Sequence, residues 1–195
     1  MNFDYGILPL ANFRNRQETE ETLSALFSGG LKTVEIACRT PYALEAIALA
    51  ARKFKGMCIG AGTVLNGEQA KQVLDMGATF LVSPGLSEEI ARIAEKNGVP
   101  YFPGCVTPTE IMQAISLGIT TVKFFPAEIY GGIKALRALS EPFKSVKFLP
   151  TGGITMETFQ DYLALDSVVA AGGSFVFKGN VEENCTKIRA LGRKS

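Results

Sequence analysis

Short β-rich apolar runs alternate with longer segments of helical apolar spacing from one end of the chain to the other, and this alternation limits the fold more than any other feature. Eight runs read as strands: Gly6 to Phe13, Thr33 to Cys38, Cys58 to Val64, Phe80 to Pro84, Pro100 to Val106, Thr121 to Pro126, Lys147 to Thr151 and Val168 to Gly172. Helical segments fill each gap, most clearly PYALEAIALAARKF, GEQAKQVLDMG, SEEIARIAEKNG, PTEIMQAISLG and METFQDYLAL. Several open with Ser, Thr or Pro and close on Gly, as helix boundaries do. Eight βα units predict closure into a (β/α)₈ (TIM) barrel, although an open doubly wound α/β sheet has the same alternation. At 195 residues such a barrel is short for its kind, so its loops must be brief. No linker, low-complexity stretch or second core interrupts the pattern, which predicts one barrel domain over residues 1–195.

The 47% hydrophobic content suffices for a substantial buried core. Twenty basic against nineteen acidic residues leave a formal charge of +1 without any basic tract, so nucleic acid and membrane surfaces are not expected partners. No apolar run approaches the roughly 20 residues that a membrane span needs, and the expected location is cytoplasmic. Cys38, Cys58, Cys105 and Cys185 are widely spaced, with no CxxC pair, and read as reduced thiols. The absence of histidine excludes Ser-His-Asp hydrolysis and His-ligated zinc chemistry. Acid-base work is left to carboxylates, lysine, tyrosine, cysteine or a water held by a hydroxyl.

Catalytic groups of such barrels lie at the C-terminal ends of the strands, with phosphate commonly on the loops after strands seven and eight. Those positions carry TGGI, Thr151 to Ile154, and AGGS, Ala171 to Ser174. Glycine lets backbone amides approach a phosphate and Ser174 adds a hydroxyl, although Gly-Gly also makes plain tight turns. On the sixth strand, Lys123 stands among Val122, Phe124 and Phe125, where a surface lysine is out of place. Desolvation disfavours an ammonium there, and a neutral amine can attack a ketone to form an iminium that accepts electrons during carbon-carbon cleavage. The plain alternative is a strand-rim lysine with its head in water. Lys147, in the similar context SVKFLPTGG, lies earlier in its strand and reads as structural. Glu35 interrupts the apolar second strand and is a candidate proton shuttle, or else a salt-bridge partner of Arg39 or a lysine. Arg39 suits a substrate carboxylate. GAGTV leaves room for a ligand beside Thr63, while SPG at Ser83 to Gly85 and PGCVTPTE at Pro103 to Glu110 shape the same mouth, chiefly as turns.

The motifs VEIACRT, GAGTVLN, VSPGLSEE, PGCVTPTE, VKFFPAE, FLPTGGI and AGGSF, in this order, closely resemble the 2-keto-3-deoxy-6-phosphogluconate (KDPG)/4-hydroxy-2-oxoglutarate (KHG) aldolase family over nearly the whole chain. The resemblance implies a class I aldolase that needs no metal or organic cofactor. Carried over by motif, Lys123 forms the Schiff base and Glu35 is the general acid/base. Arg39 and Thr63 contact the carboxylate end of the keto acid, Pro84 and Phe125 wall the pyruvyl group, and Gly152, Gly153, Gly172, Gly173 and Ser174 hold the phosphate. It also implies a homotrimer acting on a small keto acid or sugar-acid phosphate.

The expected reaction cleaves KDPG to pyruvate and glyceraldehyde 3-phosphate. KHG, the 6-phosphogalactonate isomer, and a phosphate-binding barrel isomerase or synthase are the rival readings, with non-catalytic sugar-phosphate binding another. Three departures from the family pattern stand out. The first strand begins almost at once, without the additional helix that plugs the barrel floor in relatives. ILPLANFRN has Leu10, Ala11 and Asn12 before Arg14, where many relatives carry a basic residue sooner. The tail after Lys178 is short, which predicts an abbreviated last helix.

Overall fold

The computed structural model describes Met1 and residues 3–193; Lys194 and Ser195, at the end of the tail, lie outside the described residues. Eight strands alternate with eight helices. The strands are β1 (Ile7–Ala11), β2 (Thr33–Ala37), β3 (Cys58–Gly62), β4 (Phe80–Val82), β5 (Tyr101–Phe102), β6 (Thr121–Phe124), β7 (Lys147–Pro150) and β8 (Ala171–Gly173). The helices are α1 (Arg16–Ser28), α2 (Ala43–Lys53), α3 (Gly67–Asp75), α4 (Glu88–Lys96), α5 (Pro108–Ser116), α6 (Gly132–Ser140), α7 (Phe159–Leu163) and α8 (Val181–Leu191). The result is an α/β fold around a curled parallel sheet. Six strands run in the order β5-β4-β3-β2-β1-β8, and β6 pairs with β7 as a second, two-stranded sheet. Single bridges join the two: Gly104 to Lys123 between the β5 and β6 segments, and Phe148 to Val168 and Thr151 to Gly172 between the β7 and β8 segments.

The sequence marks where the helices begin. Asn15, Asn66, Ser87, Thr107 and Asn180 each accept a hydrogen bond from a first-turn N–H of the helix that follows. At α5 the bond is reciprocal, because Glu110 reaches back to the Thr107 N–H and completes a capping box. Several elements are shorter than their sequence pattern. The strand expected over Pro100 to Val106 keeps two residues, since Pro103 has no N–H for a ladder and Gly104 makes only its single bridge. The strand expected over Val168 to Gly172 is broken: Val168 bridges to Phe148, and regular pairing resumes at Ala171. METFQDYLAL yields only α7, as the Thr158 hydroxyl accepts from the Thr155 N–H at 3.0 Å and holds that stretch in turns. The last helix is not curtailed, spanning 11 residues.

Strand side chains alternate between two cores. Val34, Ile36, Ile59, Ala61, Leu81, Val122 and Phe148 pack outward against the helices. Leu8, Phe80, Val82, Phe102, Leu149 and Ala170 form a separate cluster on the concave side, joined by Phe3. The Phe3 and Phe80 rings each lie 5.9 Å from Phe102, centroid to centroid. Phe3, followed by the 3-10 turn Asp4–Gly6, thus supplies apolar filling at the sheet's N-terminal side. Gly60 makes room for this cluster, because a Cβ there would come within 2.0 Å of the Phe80 ring. Among the described residues no helix is long and apolar enough to cross a membrane.

Candidate active site

Two charged side chains interrupt the concave face above that cluster. Glu35 on β2 and Lys123 on β6 are 0% and 3% exposed, and Lys123 Nζ donates to Glu35 Oε1 at 3.2 Å. Strand alternation explains the arrangement: Val34 and Ile36 face the helices, so Glu35 faces inward, and Val122 and Phe124 do the same for Lys123. Gly62 of GAGTV sits beside Glu35, and a Cβ there would come within 2.1 Å of Oε1. The glycine that reads as ligand space in the sequence therefore accommodates the carboxylate. Glu35 Oε2 is buried and has no hydrogen-bond partner among the described residues. A buried ion pair with one lone oxygen is costly to maintain, and such groups concentrate at sites of chemistry. Lys123 Nζ also lies 5.2 Å from the centre of the Phe125 ring. Nearby, burial, then the charge of Glu35, pushes the Cys38 thiol up to about 11.

Beyond the pair, Arg39 follows β2 and donates from Nε to Thr63 Oγ1 at 3.0 Å. Thr63 holds a φ of 56°, a left-handed conformation that threonine rarely adopts, at the exit of β3. A cleft of about 200 Å³ opens beside them, lined by Arg39, Phe125, Gly152, Gly153, Gly173 and Ser174 among others. Gly152 and Gly153 turn with φ of 100° and 85°, a path closed to most side chains. The backbone N–H groups of Gly153 and Ser174 donate to no carbonyl among the described residues. Thr151, also lining the cleft, is 2% exposed and its Oγ1 has no hydrogen-bond partner among the described residues.

The structure thus brings together Lys123 with Glu35, Arg39 with Thr63, and six of the sequence-predicted residues around one cleft. Gly172 and Pro84 stand apart from that wall. Gly172 is buried in β8, where a Cβ would meet Thr151 Oγ1 at 2.4 Å, so its lack of a side chain serves packing. Pro84 is exposed at the mouth, and its carbonyl packs where a Cβ on Gly104 would fall. Lys147 is exposed at the start of β7 and donates to the Asp166 carbonyl at 3.0 Å, consistent with its structural reading. It lines a cavity of about 520 Å³ together with Ser140 and Ser167 at the N-terminal end of the strands, away from the buried pair. The sequence reading missed Leu10, Thr155, Phe175 and Lys178 as cleft residues. Position after β8 was the available signal for Phe175 and Lys178; nothing local distinguished Leu10 and Thr155.

A family profile described as "Aldolase: KDPG and KHG aldolase" matches residues 4–191. The chain is 38% identical over 191 residues to the 2-dehydro-3-deoxy-phosphogluconate aldolase of Dickeya dadantii (strain 3937), covering 97% of this chain and 90% of that protein. It is 39% identical over 177 residues to the KHG/KDPG aldolase of Escherichia coli (strain K12), covering 91% and 83%. Among solved structures, KDPG aldolase from Legionella pneumophila, with pyruvate captured at low pH as a covalent carbinolamine intermediate, superposes with a TM-score of 0.89 at 33% identity, over 96% of this chain and 94% of that one. A profile match over nearly the whole chain, relatives well above 30% identity and a common fold agree with a buried lysine-carboxylate pair beside a cleft: the chain belongs to the KDPG and KHG aldolase family.

Proposed function

We propose that this aldolase cleaves KDPG to pyruvate and glyceraldehyde 3-phosphate through a Schiff base on Lys123. The observation that carries the reading is the buried Lys123–Glu35 pair, 3.2 Å apart, with Glu35 Oε2 left unpartnered. In the neutral form, Lys123 Nζ attacks the C2 ketone, giving a carbinolamine. Glu35 delivers a proton to the departing hydroxyl, water leaves and an iminium remains. The covalent carbinolamine of the Legionella pneumophila enzyme supports this first half. Loss of the C4 hydroxyl proton then drives its electrons into the C4 carbonyl of the leaving aldehyde. The C3–C4 bond breaks and its electron pair enters the iminium, giving an enamine. Protonation of C3 and hydrolysis of the regenerated iminium release pyruvate and free Lys123.

The roles of the surrounding residues belong to the same reading. Arg39 and Thr63, already bonded, hold the carboxylate end, and Phe125 and Pro84 wall the pyruvyl group. Gly152, Gly153, Gly172, Gly173 and Ser174 form the phosphate site of this reading, with backbone N–H groups and the Ser174 hydroxyl as donors. A closed (β/α)₈ barrel as one domain is the architecture of this reading. The bridges that link the β5 segment to β6 and the β7 segment to β8 support it. So does the cluster of side chains filling the concave face. We further infer a homotrimer acting in the cytoplasm, for which Met112 and Ile115, exposed three residues apart on α5, offer apolar surface. KHG is a second substrate in this reading, because the Escherichia coli relative is named for both.

The test is intact mass after incubation with pyruvate and borohydride, followed by peptide mapping. A reduced pyruvyl adduct on Lys123, absent in Lys123→Ala, is expected. An adduct on Lys147, or none at all, would overturn the assignment.

A further inference from the structure

Lys178 follows the 3-10 turn Phe175–Phe177, directly after the second Gly-Gly turn, and lines the same cleft as Gly153 and Ser174. Arg39 is the other cation on that wall, and among the described residues no carboxylate lines it. The described ion pairs occupy Arg16, Lys53, Arg92, Lys123 and Lys144, and none includes Lys178 or Arg39. Glu157 is an acidic neighbour. Its carboxyl is held low first by the Thr155 hydroxyl and its own backbone N–H, with Lys178 and Lys187 adding only through-space attraction.

With Arg39 given to the keto-acid carboxylate in the reading above, Lys178 is the lining cation left for the far end of the substrate, where the two substrate types differ in charge. A phosphomonoester carries nearly two at neutral pH, whereas a carboxylate carries one. Arg39 has an assigned partner in Thr63 and a proposed one in the keto-acid carboxylate. Lys178 has neither. Its flexible stem and compact ammonium suit a point-charge contact with a phosphate rather than a two-pronged grip.

We propose that Lys178 is a specificity-determining residue, whose ammonium supplies the charge that selects a substrate ending in a phosphomonoester over one ending in a carboxylate. The inference rests on the aldolase reading above and names what that site discriminates. It follows that the cleavage chemistry at Lys123 is shared by both substrate types, while the preference between them resides largely at the far end of the cleft.

The test compares wild type, Lys178→Gln and Lys178→Arg on KDPG and on KHG. Loss of one charge-assisted contact is expected to lower kcat/KM for KDPG about tenfold, carried by KM, while the value for KHG falls no more than about twofold. Lys178→Arg is expected to recover most of the loss. Inorganic phosphate, as a competitor of KHG cleavage, is expected to inhibit the Gln variant more weakly than wild type by a similar factor. Equal losses on both substrates, or an unchanged ratio with unchanged phosphate inhibition, would overturn the role of Lys178. Borohydride trapping of pyruvate on the wild-type chain separates the two levels: adduct on Lys123 with an unchanged ratio sinks only the Lys178 inference, whereas no adduct sinks the aldolase assignment on which it depends.

Discussion

At the scale of single residues, the Lys123–Glu35 pair is where local chemistry and global stability are most tightly joined. Each charge is buried, and each depends on the other for compensation. Removing the lysine alone leaves a carboxylate in an apolar surround with no cation. Lys123→Met is therefore expected to lower unfolding free energy by about 3–5 kcal/mol at pH 7 in urea titration. Lys123→Met with Glu35→Gln is expected to recover more than half of that, because the second change removes the stranded charge. If the double variant is as unstable as the sum of the single ones, the pair is not coupled as its geometry implies. With Lys123 as the proposed Schiff-base lysine, both variants are expected to lose pyruvate trapping, so stability and activity part company in this comparison.

Helix termini carry the clearest relation between sequence and energetics at the scale of elements. The TPTE motif that opens α5 is a capping box in which Glu110 accepts from the Val106 N–H at 2.9 Å and from both the Thr107 N–H and hydroxyl at 2.8 Å. Burial alone would raise the Glu110 carboxyl; these hydrogen bonds outweigh it and hold the group below the usual glutamate range. The folded value lies below the unfolded one, so the stabilisation is full above the ordinary glutamate pKa and disappears as pH falls through the lower folded value. Glu110→Gln is expected to cost about 1 kcal/mol at neutral pH, the scale of a helix cap. The difference in Tm between the variant and wild type should shrink on acidification below about pH 4.3 and close at lower pH. A gap that is constant with pH would mean that shape, and not the carboxylate's charge, makes the cap.

Over the whole molecule, the curled sheet depends on complementary sizes at facing positions. Gly60 admits the Phe80 ring, Gly62 admits the Glu35 carboxyl and Gly172 admits Thr151 Oγ1. The inside of the sheet is thereby graded, with aromatic filling around Phe3, Phe80 and Phe102 giving way to the charged pair and then to the open cleft. The outside is less complete: Met112 and Ile115 on α5 and Ile129 and Tyr130 after β6 are exposed. Sedimentation at micromolar protein is expected to give three times the protomer mass, and Met112→Glu with Ile115→Glu is expected to shift the population toward monomer. A wild-type monomer would count against the trimer.

Alternation of strand-like and helix-like runs, each governed by local periodicity and cap chemistry, already determined the α/β class, the order of elements and the starts of α3, α4 and α5. It also determined the candidacy of Lys123 and Glu35, because a charge inside an apolar strand must face something. Strand ends were less legible, since whether a run such as Pro100 to Val106 pairs along its length depends on the partner strand and on the N–H that Pro103 lacks. Only the tertiary structure decided that Glu35 meets Lys123 across 88 residues of sequence. It alone assigned Gly60, Gly62 and Gly172 to packing, put Phe3 on the concave side and brought Lys178 to the wall of the cleft. The physical reason is common to these cases. Periodicity fixes which face a side chain takes on its own element, whereas its neighbour on the facing element is set by how the sheet curls, and no local pattern encodes that distance.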